Sequence, residues 1–133
     1  MTSFIKTIIR YKLTITIGVF ILILSLIQSS NVPSSNFWDF RGSDKLVHFM
    51  MYFSLSFVLF FERNRTRIWK QTDLKPRNNI WHILALIATG GTIEILQPLL
   101  SNRSCEYFDF IANTLGVFAG FFLYRMIRLI LKR

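Results

Sequence analysis

The sequence predicts an all-α integral membrane bundle with four transmembrane helices, and three observations predict it. The 133 residues are 52% hydrophobic and include 14 Phe. The apolar residues come in long runs of the length a bilayer requires. The charges flank those runs, which is how topology is marked in membrane proteins. At this length the chain has room for one domain, residues 1–133.

The expected spans are residues 8–28, 45–61, 80–100 and 107–124. The first apolar run, 13–27, follows a basic lead carrying Lys6, Arg10 and Lys12. Thr7, Ile8 and Ile9 extend it, with Arg10 and Lys12 snorkelling, to reach the roughly 20 residues of a span. A cleavable signal would end in small residues of an Ala-x-Ala type. Ile27-Gln28-Ser29-Ser30-Asn31 follows instead, so an uncleaved helix is expected. The next connection, 29–43, contains Phe37-Trp38-Asp39-Phe40, a composition suited to the headgroup level and read either as an interfacial anchor or as a lid.

The second span opens with Asp44, His48 and Tyr52 at spacings of four, one stripe on a helix, continued by Leu55 and Ser56. Phe49, Phe53, Phe57 and Phe60 are expected on lipid-facing surfaces. Residues 62–79 read as a basic loop, since Pro76 opposes one long helix through them and no apolar period runs there. The third and fourth spans are joined by only 101–106, which makes them antiparallel neighbours. The single Cys105 excludes an internal disulfide and reads as incidental.

Thirteen of the 16 basic residues lie in the N-terminal lead, the 62–79 loop and the C-terminal tail. The positive-inside rule then places both termini and the 62–79 loop in the cytoplasm. A formal charge of +9 distributed in this way speaks for lipid headgroups as partners and against nucleic acid, which needs a basic stripe on a folded face.

This topology gathers polar residues in one layer. Asp44 and His48 enter from outside, as do Asp109 and Asn113. Glu94 lies about 21 Å along a path of roughly 30 Å from the inner side, with Gln97 one turn higher. Gly90 shares a stripe with Glu94 and Gln97; Gly116 and Gly120 share one with Asp109 and Asn113. Glycines permit close helix approach, so both stripes are turned inward. Gln97 and Asn113 read equally as interhelical glue or as site residues.

Asp44-Lys45-Leu46-Val47-His48 with Tyr52, then Glu94-x-x-Gln97, then Arg103 followed by Asp109, Asn113, Gly116 and Gly120, resembles the VanZ-like family of small bacterial membrane proteins. Asn102 departs from the glycine more usual before the arginine. The resemblance carries a family pattern over to Asp44, Lys45, His48, Glu94, Gln97, Arg103, Asp109 and Asn113 without assigning roles. It also implies a link with cell-envelope antibiotic resistance, the founding member being associated with low-level resistance to teicoplanin-type antibiotics.

Two functions follow as expectations. In the first, the protein acts on a lipid-linked envelope precursor or a glycopeptide at the outer face. His48, Glu94 and Asp109 then form the catalytic group, and Asp44, Lys45, Tyr52, Gln97, Arg103 and Asn113 hold the substrate. In the second, the same residues close a non-catalytic binding or scaffold module for a lipid headgroup, an antibiotic or a partner protein, through Asp44–Lys45, Glu94–Arg103 and Asp109–His48 pairs. No cofactor is expected. A metal held by His48, Glu94 and Asp109 is the lesser variant, since no His-Glu-x-x-His motif is present. Polar residues are sparse in the inner halves of the spans, which argues against a proton or ion pathway.

Overall fold

A computed structural model describes residues 3–26, 42–69, 79–100 and 106–131, and among them the protein is all helix. The order is α1 (Ser3–Arg10), α2 (Lys12–Leu26), α3 (Ser43–Trp69), α4 (Ile80–Leu100) and α5 (Tyr107–Leu131). The Phe37–Phe40 cluster, residues 70–78 of the expected 62–79 loop and the turn holding Arg103 and Cys105 lie outside the described residues. Three helices, α3 over Ser43–Arg65, α4 and α5, are long and apolar enough to cross a membrane; α1 and α2 meet that test only as a pair bent by 70°. The chain is therefore a multi-pass membrane protein.

The bundle is built on α3 and α5, which run parallel. Going down both helices together, His48 meets Asn113, Ser56 donates to the Val117 carbonyl at 2.7 Å, and Phe60 stacks on Tyr124 with ring centroids 5.9 Å apart. Glycine makes this approach possible. A methyl on Gly116 would overlap the Phe49 carbonyl oxygen, and one on Gly120 the Phe53 carbonyl oxygen. Without side chains there, the two backbones touch and gain the dispersion contacts that drive helix association in lipid. α4 closes the other side, with Gly90 against the Tyr52 ring and Gly91 against Phe110.

Three expectations are corrected here. The straight first span over 8–28 is broken at Tyr11, so Ile8 and Ile9 belong to α1 and α2 starts at Lys12. The cause is a carboxylate 49 residues away in sequence. Glu62 accepts the Leu13 and Thr14 amides, both at 3.0 Å, and the Thr14 hydroxyl at 2.7 Å. A break in the helix orphans those first-turn amides, and Glu62 satisfies them with a charge suited to a helix N-terminus.

Second, the loop expected from Glu62 onward is helical to Trp69. Charge marks where the membrane ends, and Glu and Arg are good helix formers. Glu62, Arg63 and Asn64 are in fact buried, and Arg63 bridges to Asn79 at the start of α4 at 2.8 Å. Third, Phe60 is not lipid-facing but fully buried, packed on Phe121 at 4.7 Å. Apolarity does not separate lipid from core inside a bilayer, because lipid tails are as apolar as Phe. α5 continues beyond Tyr124 as helix to Leu131.

The Glu62 clamp yields a prediction. Glu62→Ala is expected to lower stability in detergent by about 2 kcal/mol through loss of the cap. Thermal unfolding beside Arg65→Ala, whose side chain is exposed, is the check; equal midpoints would refute the clamp.

Candidate functional site

Three helices deliver polar side chains to one end of the bundle. α3 begins with Asp44 and Lys45 in its first turn and brings in His48 one turn later. α5 begins behind Glu106, whose carbonyl accepts the Asp109 amide at 3.0 Å, so Asp109 sits in the first turn and Asn113 one turn deeper. α4 ends here, with Glu94 and Gln97 buried near its last turns. Pro98 follows, and having no N–H it cannot serve the Glu94 carbonyl four residues back.

The innermost group is a closed circuit. Asn113 Nδ2 donates to Glu94 Oε1 at 2.9 Å, which fixes the amide so that its oxygen faces His48 Nδ1 at 3.1 Å. His48 Nδ1 also lies 3.4 Å from Glu94 Oε1. Two acceptors at one ring nitrogen place the proton on Nδ1. The other nitrogen, Nε2, then points to the mouth, 3.8 Å from Asp109 Oδ2 and 4.0 Å from Asp44 Oδ1. All three members of the circuit are about 2% exposed.

Above them the site opens. Lys45 joins Glu106 at 2.5 Å and Asp109 at 3.1 Å, with Asp44 at 3.9 Å. Lys45, Asp44 and Glu106 are each more than a third exposed, whereas the Asp109 side chain is 3% exposed. Polar atoms thus grade from an accessible rim to a dry floor. Tyr52 lies beneath, 1% exposed, and its hydroxyl has no hydrogen-bond partner among the described residues.

Asp44, Lys45, His48, Glu94, Asp109 and Asn113 are brought together. Tyr52 forms the floor. Gln97 donates to the Ser25 carbonyl at 3.2 Å and so ties α4 to α2. Arg103, and with it the Glu94–Arg103 pair, lies outside the described residues. Two acids were missed by sequence reasoning. Glu106 had a signal, since an acid three residues ahead of Asp109 suits the start of a helix. Glu62 had one too: eighteen residues, five helical turns, put it on the face of Asp44.

The metal variant with His48, Glu94 and Asp109 is corrected by the ring geometry. Glu94 lies against Nδ1 and Asp109 against Nε2, so one imidazole lone pair cannot bring both acids to one ion. Ligand atoms do gather in Asp44, His48 and Asp109, all within 4.8 Å of one another. The Lys45 ammonium already stands among these carboxylates and would repel a cation.

Lys45 holds the rim together, which is testable. Lys45→Met is expected to cost about 1.5–3 kcal/mol, because it leaves the buried Asp109 carboxylate without its charged donor. Lys45→Arg is expected to restore most of it. Thermal melts of the purified variants that coincide with wild type would refute the assignment.

No curated protein and no solved structure gives a significant match to this chain. A family model described as VanZ/LLP1 matches residues 3–129, nearly the whole chain and every helix of the bundle, and the chain belongs to that VanZ-like family.

Proposed function

We propose that the protein resides in the bacterial cytoplasmic membrane with α2 crossing as a fourth span, both termini cytoplasmic and the polar site open to the outside. There it acts on a lipid-linked or otherwise envelope-borne substrate, with His48 as the proton-transfer group. α2 is about 22 Å long, and it reaches from the Glu62 clamp at the basic end to the Gln97 contact at the site end. Thirteen of 16 basic residues fall on the side assigned to the cytoplasm.

The observation that carries the reading is the division of labour on His48. Glu94 and Asn113 hold Nδ1 in the buried circuit, leaving Nε2 as the atom that exchanges a proton at the mouth. An imidazole oriented by a buried carboxylate is the arrangement general base catalysis uses. The rim narrows the substrate. Three acids, Asp44, Asp109 and Glu106, lie around one lysine, whose charge is already engaged, and Glu94 adds a fourth carboxylate at the buried floor. A bare phosphate is disfavoured there; a headgroup rich in hydroxyls or bearing an amine is favoured, as carboxylates accept both kinds of donor. Tyr52 supplies a hydroxyl at the floor, and Gln97 and Arg103 complete the proposed substrate side.

A second reading is a non-catalytic binding module or scaffold. It is favoured by one observation, the Lys45 bridges to both Glu106 and Asp109, which close α3 on α5. Lipid content tests whether the site takes a lipid-borne substrate. Wild type and Asp44→Asn, purified in mild detergent, are expected to differ by mass spectrometry, wild type carrying a hydroxyl-rich or amine-bearing lipid that Asp44→Asn, which alters an exposed acid of the rim, lacks. Identical lipid profiles would contradict the substrate reading.

A further inference from the structure

Among the described residues, α1 buries no side chain in the bundle. Each of its eight residues is exposed, and it leaves the axis of α2 at 70°. At about 100° per residue, Phe4, Ile5, Ile8 and Ile9 fall on one side, and Ser3, Lys6, Thr7 and Arg10 on the other. The segregation is complete. A straight transmembrane extension would gain nothing from such an arrangement, whereas a helix lying at an interface depends on it.

The bend is held in place rather than left to chance. Glu62 binds the first turn of α2, and the Arg10 guanidinium donates to the Arg63 carbonyl at 2.8 Å. Both anchors lie where α3 changes from Phe60 and Phe61 to Glu62, Arg63 and Arg65, the level at which hydrocarbon gives way to headgroups. α2 runs along the bundle from this level to the Gln97 contact. A helix turned 70° from it therefore lies closer to the membrane plane than to the normal.

We infer that α1 is an in-plane anchor for an anionic lipid surface at the basic end of the bundle. Phe4, Ile5, Ile8 and Ile9 enter the acyl boundary, while Lys6 and the exposed Lys12 meet lipid phosphates. Charge decides the occupant. Cations beside the apolar face complement an anionic leaflet, whereas a second copy of a chain with net charge +9 would bring like charge to the same place. Through the Glu62 clamp, the anchor sets the depth at which α2 and α3 sit, and it does so independently of the polar site.

The test uses the full chain in a Cys105→Ser background, with one spin label in turn at positions 4 to 9, in vesicles of phosphatidylcholine with phosphatidylglycerol. Accessibility to oxygen, which concentrates in lipid, and to a water-soluble nickel chelate is read at each site. Labels at Phe4, Ile5, Ile8 and Ile9 are expected to favour oxygen, and those at Lys6 and Thr7 to show several-fold greater nickel access. The contrast is expected to shrink several-fold when phosphatidylglycerol is omitted. A steady change along the six sites without a helical period would mean a straight span, and nickel access at all six would mean a helix free of the membrane. Either overturns the proposal, as does a contrast indifferent to phosphatidylglycerol.

Discussion

Gly120→Val is expected to separate α5 from α3 and to leave little folded protein in the membrane. The added atoms meet the Phe53 carbonyl oxygen, the Phe57 amide at 3.0 Å and Ser56. Main chain cannot change rotamer to make room. Overpacking a core usually costs about 1–3 kcal/mol when side chains can yield, so a backbone obstacle belongs at the upper end or beyond. Gly116→Val should behave alike, since its Cβ alone meets the Phe49 carbonyl and the Phe53 amide. Gly91→Ala is the contrasting control, because the Phe110 ring at 3.2 Å can shift. Thermal stability in detergent and membrane yield are the readouts. Wild-type melting for Gly120→Val would mean that α3 and α5 do not pack through these glycines.

Glu94→Gln is expected to leave the fold intact and to reduce activity by about 10²–10⁴-fold, the range general acid–base catalysis supplies. Glutamine keeps the volume and still offers an oxygen to Asn113 Nδ2 and His48 Nδ1, so the circuit can form. What is lost is the charge that stabilises a protonated imidazole. His48→Ala should cost at least as much, since it removes Nε2 itself. Asn113→Leu tests orientation separately: the charge remains while the ring loses its 3.1 Å partner, and an intermediate loss is expected.

How far the sequence could be read depended on whether each cause was local. Helix existence was legible from apolar runs, and the convergence of Asp44, His48, Glu94, Asp109 and Asn113 followed from spacing and charge topology. The inward turn of Gly90, Gly116 and Gly120 was legible for the same reason: each shares a stripe with polar groups that avoid lipid. The bend at Tyr11 was not, because its cause, Glu62, is remote in sequence and begins a stretch whose charge and Pro76 point to a loop. Phe60 was misplaced because hydrophobicity alone cannot tell a lipid-facing ring from a core ring. Nor could spacing reveal that His48 turns Nδ1 to Glu94 and Nε2 to Asp109, the detail on which both the proton-transfer reading and the metal correction depend.

The most direct test of the central claim, that the polar site is where the protein works, is susceptibility of an expressing strain to a teicoplanin-type and a vancomycin-type antibiotic. Wild type, Glu94→Gln, His48→Ala and Arg65→Ala are compared at matched membrane levels. The account predicts protection by wild type and by Arg65→Ala, with its exposed side chain at the basic end, and loss of protection in Glu94→Gln and His48→Ala. Arg65→Ala as damaging as Glu94→Gln, or full protection by both site variants, would contradict it.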